Sequence, residues 1–281
     1  MNYKAICLIS ICTAAFNVNA SDIEVCGELK QGELAILKNI PAEVETFSIG
    51  ERIYPITEDG YAIVAFHRDE KNNLKLSANL ADGSKQEYSL NIDPAKWDIQ
   101  RINGVPQQKV TPDSSHDEEI LREQKEVRQA LQNMKQGDFW RQGFIIPVEG
   151  RISGNFGNQR IFNGTPKNPH TGTDIAAPEG TPVKAAADGI IILNGHNYFY
   201  SGNTVIIDHG QGLQTIYAHL KKANVQQGDI VRQGDIIGFV GKTGRATGPH
   251  LHWGASLNNV RFRPHSLLDI NNKTCQILKG K

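Results

Sequence analysis

The sequence predicts an all-β protein: a small N-terminal β-sandwich, a connecting α-helix and a larger, glycine-rich antiparallel β-sheet domain. Short runs of β-branched and aromatic residues, separated by turn residues, fill both halves of the chain. Apolar residues recur at helical spacing over residues 117–135, and glycine becomes frequent beyond Phe144. With 281 residues, the chain is long enough for two domains, each with its own core.

Composition narrows the function classes before any motif is considered. Lys and Arg total 30 and Asp and Glu total 30, so the formal net charge is zero. Binding driven by a phosphate backbone requires a basic excess, which this chain lacks. We therefore expect no nucleic-acid partner.

Residues 1–20 have the pattern of a secretory signal peptide. Lys4 precedes an apolar run at residues 5–16, and small residues follow at the cleavage positions up to Ala20. The pattern predicts export, to the periplasm or out of the cell, with cleavage after Ala20. A buried first strand or helix is the alternative interpretation. The run is shorter than the about 20 residues that cross a bilayer, and no later stretch qualifies, so we expect no membrane span.

Residues 21–103 are predicted to form the N-terminal domain. Its β-rich runs lie at residues 33–37, 46–49, 61–67, 74–80 and 87–92, with Asp-Gly turns at 59–60 and 82–83. This pattern favours a small antiparallel sandwich. His67 has no neighbouring ligand type, so we interpret it as a strand residue and not as a metal ligand.

Two cysteines, Cys26 and Cys275, remain after the signal peptide is removed. Exported proteins seldom keep free thiols, and a bridge between these two would close almost the whole chain. We therefore predict a disulfide that ties the N-terminal domain to the end of the chain. Two independent free cysteines are the alternative.

Residues 104–143 are predicted to be a linker followed by a helix. Residues 104–118 are polar and contain two prolines and two serines, which is typical of a linker. The helix is expected over residues 117–135, with charged residues on a solvated surface and one apolar stripe. A helix that binds a partner is the alternative. The stripe consists of Ile120, Leu121, Val127, Leu131 and Met134.

Residues 144–270 are predicted to form the second all-β domain, followed by a C-terminal tail at 271–281. Strands are expected at residues 189–193, 204–208, 215–219, 229–231 and 235–240. Segments 225–230 and 231–236 resemble each other and each contains Gly-Asp. Two copies cannot build a repeat array, so they predict a pair of turns.

Seven of the nine histidines follow residue 169, and their spacing suits a metal site. His170 and Asp174 are four residues apart in a segment whose Thr and Gly content favours a strand, where even separations share a face. The same period places His250 and His252 together, with Leu251 toward the core. Three such ligands and a spare histidine, with water in the fourth position, would suit a catalytic zinc.

At these positions the sequence resembles the lysostaphin/LytM-type zinc metallopeptidases, which cut peptide bonds in bacterial peptidoglycan. The resemblance extends from about Gly154 to Leu268. It implies that His170, Asp174 and His252 bind one zinc ion per chain, and that His219 and His250 form the catalytic pair. The matching segments are 155–157, 170–174, 180–183, 208–210, 217–220, 243–244 and 248–252.

The resemblance further implies a periplasmic or secreted zinc endopeptidase that binds stem peptides and hydrolyses peptide cross-links of peptidoglycan. The bond that is cut stays open between a cross-link containing D-amino acids and a glycine bridge. The general base stays open between His219 and His250, and so does any covering of the groove by the N-terminal domain or the helix.

Other residues are weaker candidates. We expect His209 to be structural or to orient a ligand, and His196 and His265 to be surface or packing residues. Tyr217 either lines the groove or belongs to the core. Arg160 and the loop at residues 197–202 either contact the substrate or are solvated.

Three alternative functions are open. A zinc-bearing but inactive regulator or binder of the cell wall would keep the ligands. A secreted protease acting on Gly-rich proteins would share the chemistry. A biotinyl- or lipoyl-type carrier could explain residues 225–240, but Lys242 lacks the residues that surround an attachment lysine.

Overall fold

A computed structural model describes residues 23–132, 135 and 137–279. The predicted signal peptide and Met134 of the predicted stripe lie outside these residues. The helices are α1 (Gln107–Val110) and α2 (Asp117–Gln132), with single 3-10 turns at Ser114–His116, Phe139–Gln142 and Pro264–Leu267. The strands are β1 (Ile23–Gly27), β2 (Leu34–Lys38), β3 (Val44–Ile49), β4 (Arg52–Pro55), β5 (Ala62–Ala65), β6 (Asn73–Leu80), β7 (Lys85–Asn91), β8 (Ile99–Ile102), β9 (Arg151–Gly154), β10 (Gln159–Phe162), β11 (Thr165–Pro166), β12 (Gly172–Ala176), β13 (Pro182–Lys184), β14 (Gly189–Tyr198), β15 (Gly202–Asp208), β16 (Leu213–Ala223), β17 (Ile230–Val231), β18 (Ile236–Val240), β19 (His250–Leu257), β20 (Val260–Phe262) and β21 (Cys275–Leu278).

The N-terminal half is a sandwich of two four-stranded antiparallel sheets. One sheet has the order β21-β1-β2-β5 and the other the order β4-β3-β6-β7. All five strands predicted in this half are confirmed, while β1 and β4 were not predicted. Side chains from both sheets fill one core, in which Phe47, Tyr54 and Leu76 are fully buried.

The last strand of the chain completes the first sheet of the sandwich. β21 pairs antiparallel with β1, and Cys26 lies directly opposite Cys275. Their sulfurs are bonded, which confirms the predicted disulfide across 249 residues of chain. Part of the predicted C-terminal tail is therefore a strand of the N-terminal sandwich. The domain boundaries themselves stay a prediction.

Helix α2 lies within the predicted helical segment and packs on the C-terminal sheet. Ile120 and Leu131 are buried, and Val127 packs against the same small core as Ile192 and Ile216. The prediction for Leu121 is wrong: its side chain is 65% exposed, because one residue after Ile120 is about 100° further around the helix.

Glu123 lies on the buried side of α2, where the predicted stripe contains only apolar residues. It is 7% exposed, and its Oε2 accepts a hydrogen bond from the backbone N of Phe199 at 2.8 Å. Burial raises the pKa of its carboxyl. A polar anchor therefore fixes the helix to the loop after β14.

The C-terminal half is built on a ten-stranded sheet with the central order β17-β14-β15-β16-β19-β12-β9. β13, β18 and β20 pair with members of this series. All five strands predicted in this half are confirmed, as is the predicted all-β class. Trp253, Tyr217 and Val205 are fully buried in its core. The central neighbours β16, β19 and β12 carry most of the candidate site.

One short strand at the end of the predicted N-terminal domain joins the C-terminal half. β8 runs parallel to β10, with Gln100 opposite Arg160, in a three-stranded sheet that also contains β11. The sequence treats this region as the end of the first domain and gives no local sign of the pairing. Neither helix in the described part of the chain is long and apolar enough to cross a membrane.

Candidate metal centre and active site

Three adjacent strands bring the predicted ligands together. In the register of the sheet, Asp174 of β12 lies opposite His252 of β19, and His252 lies opposite Ala218 of β16. Leu251 is fully buried, while His250 and His252 are half-buried on the other face of β19. The predicted alternation along β19 is therefore confirmed.

His170 lies in the loop before β12, two residues ahead of the strand, and not on the strand as predicted. A turn at residues 155–158 holds it there: its backbone N donates to Asn158 O at 2.9 Å, and its carbonyl accepts from Gly157 N at 2.8 Å. Its Nδ1 lies 3.0 Å from Asn155 O. The turn, rather than strand periodicity, aims this ring at Asp174.

The side chains of His170, Asp174 and His252 form a candidate metal site. Asp174 Oδ1 lies 2.9 Å from His170 Nε2 and 2.9 Å from His252 Nδ1. The two ring nitrogens are 3.0 Å apart. Glu24, Cys26 and Cys275 also lie close together, but both sulfurs are used in the disulfide and cannot act as thiolate ligands.

The tautomer of His170 shows that a cation fits this site. Asn155 O can only accept a hydrogen bond, so Nδ1 of His170 carries the ring proton. In the neutral ring, Nε2 then carries a lone pair, which faces the acceptor Asp174 Oδ1 at 2.9 Å. Two acceptors at this distance repel each other unless a cation lies between them. Imidazole nitrogens with one carboxylate are donors that suit zinc.

Burial keeps the histidines of the site neutral. It lowers the pKa of His170 to about 4 and also lowers the pKa of His252. Burial acts to raise the pKa of Asp174, but contacts with His170, His252 and Arg160 outweigh it, so the carboxyl pKa lies well below its usual value. Neutral imidazoles and an ionised carboxylate are the forms that bind a metal.

The segment that contains the candidate site matches the model of a known protein family. The model of peptidase family M23 matches residues 168–264, the segment that contains all five predicted site residues. Residues 168–264 form an M23 peptidase domain. The predicted family is thereby confirmed for this part of the chain.

Two named relatives match this chain over part of their own length. The DD-carboxypeptidase/endopeptidase Mpg of Neisseria meningitidis is 53% identical over 98 residues, which are 35% of this chain and 22% of Mpg. The peptidoglycan DD-endopeptidase ShyA of Vibrio cholerae is 43% identical over 141 residues, which are 49% of this chain and 32% of ShyA. The chain thus spans a third or less of these relatives.

A solved structure matches almost the whole fold. A crystal structure of a Pseudomonas aeruginosa protein assigned to peptidase M23 is 28% identical, with a TM-score of 0.63. The match covers 86% of this chain and 96% of that chain. The M23 domain and the segments before it therefore occur together in a second protein of similar architecture.

His219 and His250 lie at the edge of the metal site of the M23 domain. Their ring centroids are 4.7 Å apart, and the His219 and His252 rings are 6.0 Å apart. Nδ1 of His219 lies 2.8 Å from Thr243 O, and Nδ1 of His250 lies 2.8 Å from Gly248 O. Each carbonyl accepts the Nδ1 proton, so each neutral ring keeps a lone pair on Nε2.

The backbone at His219 is strained. Its φ is +61°, in the left-handed region that side chains other than glycine rarely adopt. The pairing of β16 with β18 shifts register just beyond it, between Leu220 and Lys222. Burial, and then the neighbouring His250 and His252, hold the pKa of His219 well below its usual value. A strained, buried histidine next to a metal site is a typical feature of functional centres.

Arg160 is part of the metal site, although the sequence suggested only a contact with substrate or solvent. Its guanidinium forms an ion pair with Asp174 Oδ2, the oxygen that faces away from the histidines. Its Nε also donates to Gln100 Oε1 at 3.3 Å. Arg160 therefore orients the carboxylate so that Oδ1 faces the two imidazoles.

A groove opens beside the metal site, and the linker forms one of its walls. The cavity has a volume of about 460 Å³ and is lined by Asp174, His219 and His250 together with Gln100 of β8 and Val105 of the linker. Gln100 Nε2 also donates to Ser153 O at 2.9 Å. The linker therefore forms a side of the groove and does not fill the cavity beside His219 and His250.

The remaining candidates lie away from the metal. His209 is fully buried, and Tyr217 belongs to the core, where its hydroxyl accepts from Ala186 N at 2.9 Å. His196 is exposed, and the ring of His265 packs against Trp253 at 5.6 Å. Tyr200 and Ser201 of the loop at 197–202 hold residues of the groove through their carbonyls.

Proposed function

We propose that this protein is a zinc endopeptidase that hydrolyses peptide cross-links of peptidoglycan. The observation that carries the proposal is the convergence of His170 Nε2, Asp174 Oδ1 and His252 Nδ1 on one point beside an open groove. The M23 domain and the relatives named as peptidoglycan endopeptidases support it.

His170, Asp174 and His252 would hold the zinc ion in this proposal. When bound, zinc supplies Lewis acidity, which acidifies a water molecule and polarises the carbonyl of the scissile amide. Arg160 keeps the carboxylate ionised and correctly turned, and Asn155 keeps the lone pair of His170 directed inward.

His219 and His250 perform the proton transfers. Each ring presents an unprotonated Nε2, because Nδ1 donates to a backbone carbonyl. One of the two takes the proton of the attacking water at its free Nε2, and the other stabilises the charge that develops on the carbonyl oxygen in the form that carries a proton on Nε2. A protonated ring then donates to the departing amine.

The protein acts outside the cytoplasm in this proposal. The signal-peptide pattern of residues 1–20 supports export, and the disulfide between Cys26 and Cys275 forms in oxidising compartments. The substrate lies in the same compartment. The domain divisions 21–103, 104–143, 144–270 and 271–281 are proposed with it.

Digestion of purified peptidoglycan tests the function. The protein is incubated with sacculi in the presence of zinc, of a chelator, and of a chelator followed by excess zinc, and the released fragments are identified by mass spectrometry. We expect cross-linked dimers to disappear only when zinc is available. Asp174→Asn is the matched control. Cross-links that persist while zinc is bound would contradict the enzyme and favour an inactive wall-binding regulator.

A further inference from the structure

The groove beside the metal site is strongly cationic. Four arginines line it, namely Arg101, Arg151, Arg160 and Arg245. Among the described residues that line the cavity, Asp174 is the only carboxylate, and Arg160 already pairs with it. The other three guanidinium groups have no carboxylate within 4.0 Å in the described part of the chain. Their charge is therefore available to a ligand.

Arg245 is the most firmly held of these three cations. Its guanidinium carbon lies 4.6 Å from the centre of the Phe162 ring and 4.4 Å from the centre of the Tyr200 ring. Its Nη1 also donates to Lys109 O at 3.4 Å. Burial lowers the pKa of Arg245 to about 10, so the group remains charged at neutral pH. Two aromatic rings thus fix a planar cation before any ligand arrives.

Arg245 is tied to the same loop as the catalytic histidine. The carbonyl of Tyr200 accepts from Arg245 N at 2.8 Å, and the carbonyl of the next residue, Ser201, accepts from His219 N at 2.8 Å. Both side chains line the one cavity. A group bound to Arg245 therefore lies beside a scissile bond held at His219.

We propose that Arg245 binds a free carboxylate that the substrate carries close to the scissile amide. This inference rests on the proposed function and deepens it, because it selects between two chemical classes of cross-link. A cross-link made through an amine of a diamino dicarboxylic acid has a carboxylate on the carbon that bears that amine. A glycine bridge offers only neutral amides at this position.

Binding energy at Arg245 favours the carboxylate-bearing class of cross-link. A guanidinium binds a carboxylate through two parallel charged hydrogen bonds, which are about twice as strong as neutral ones. Since the rings of Phe162 and Tyr200 already order Arg245, little side-chain freedom is lost on binding. A neutral glycine bridge would leave a partly buried cation without a partner, which is unfavourable.

A pair of substrates tests the inference without any mutation. Two synthetic cross-linked peptides are compared that differ only in the carboxyl group beside the scissile amide, which is free in one and a carboxamide in the other. We expect kcat/KM of the zinc-loaded protein to be about 10- to 100-fold higher for the free carboxylate. Equal values for the two peptides would overturn the inference and leave the proposed function intact.

Variants assign the preference to Arg245. Arg245→Gln is expected to lower kcat/KM for the carboxylate peptide more than for the carboxamide peptide, so that the two values become similar. Arg245→Lys is expected to retain part of the preference, because the charge remains without the flat stacked group. Arg232→Gln, at an exposed turn outside the cavity, is the matched control and should change neither value.

Three further outcomes have distinct meanings. A similar fall for both peptides in Arg245→Gln would assign a structural role to Arg245 and overturn the inference. The melting temperature and zinc content of each variant identify a folding defect, and the substrate pair on the wild type then decides alone. A zinc-loaded wild type that cleaves neither peptide would contradict the proposed function, and with it the role of Arg245.

Discussion

Two buried histidines of the M23 domain, His170 and His209, differ in the partners of their ring nitrogens. Burial lowers the pKa of both His170 and His209 to about 4. His209 Nδ1 lies 2.6 Å from Asp188 O, and its Nε2 lies 2.7 Å from Thr215 Oγ1, a hydroxyl that can donate. Every polar atom of that ring has a complementary partner. His170 Nε2 instead faces an acceptor, Asp174 Oδ1.

The comparison shows that burial and a lowered pKa do not by themselves identify a functional histidine. His209 is a structural residue: its ring contacts Phe144 edge-on, and its carbonyl accepts from Trp140 N. It fastens the segment before the sheet to β15 and β16. The metal site is distinguished by acceptors that face each other and therefore need a cation.

The largest expected difference is between the loss of Asp174 beside His170 and the loss of His209. The first should affect zinc binding and the second stability. Asp174→Asn should abolish zinc binding and lower peptidase activity by at least about 10³-fold, because the anionic ligand is lost. His209→Asn should keep one zinc per chain and lose about 1–3 kcal/mol of stability, because buried partners lose their hydrogen bonds. Metal analysis, activity and urea unfolding of both variants provide the measurements. Zinc retained in Asp174→Asn would invalidate the comparison.

Removing one of the two proposed catalytic histidines should separate turnover from metal binding. His219→Ala should lower kcat by about 10²- to 10⁴-fold, the usual contribution of a general acid or base, and leave zinc content unchanged. The same variant relieves the left-handed backbone strain only slightly, since alanine also disfavours a positive φ. Full activity in this variant would remove His219 from the catalytic pair.

The pH dependence of stability tests the lowered pKa of His209. The pKa of His209 is about 4 in the folded protein and about 6.5 when unfolded, so the unfolded state binds the extra proton as the pH falls. This residue alone should therefore cost the wild type about 3 kcal/mol between pH 7 and pH 4. Urea unfolding of metal-free wild type and His209→Asn at both pH values measures the difference. A parallel loss in both proteins would show that folding does not lower the pKa of His209.

The smallest expected effect concerns the support of the metal ligand. Arg160→Gln should weaken zinc binding by about 10- to 100-fold, because Asp174 loses the partner of Oδ2 and can turn away from the histidines. Arg160→Lys should recover part of the affinity. Competition with a chelator of known affinity measures both, and an unchanged affinity would limit Arg160 to holding β8 and β10 together.

Local patterns predicted most of the strands and one part of the candidate site. The strands follow from β-rich runs and turn residues, and the shared face of His250 and His252 follows from the period of a strand. Non-local contacts could not be predicted in this way. The parallel pairing of β8 with β10 and the addition of β21 to the first sheet join segments far apart in sequence. Arg245 gains its surroundings from Phe162 and Tyr200, which no spacing rule connects.

We infer that the opposed acceptors of His170, Asp174 and His252 mark the zinc site of a peptidase. An anomalous X-ray diffraction map, recorded at the zinc absorption edge from crystals grown with zinc, tests it most directly. We expect one strong peak in contact with His170 Nε2, Asp174 Oδ1 and His252 Nδ1, and no such peak in Asp174→Asn. A zinc-supplied crystal with no peak there, or with its strongest peak elsewhere, would show that these residues do not bind the zinc ion.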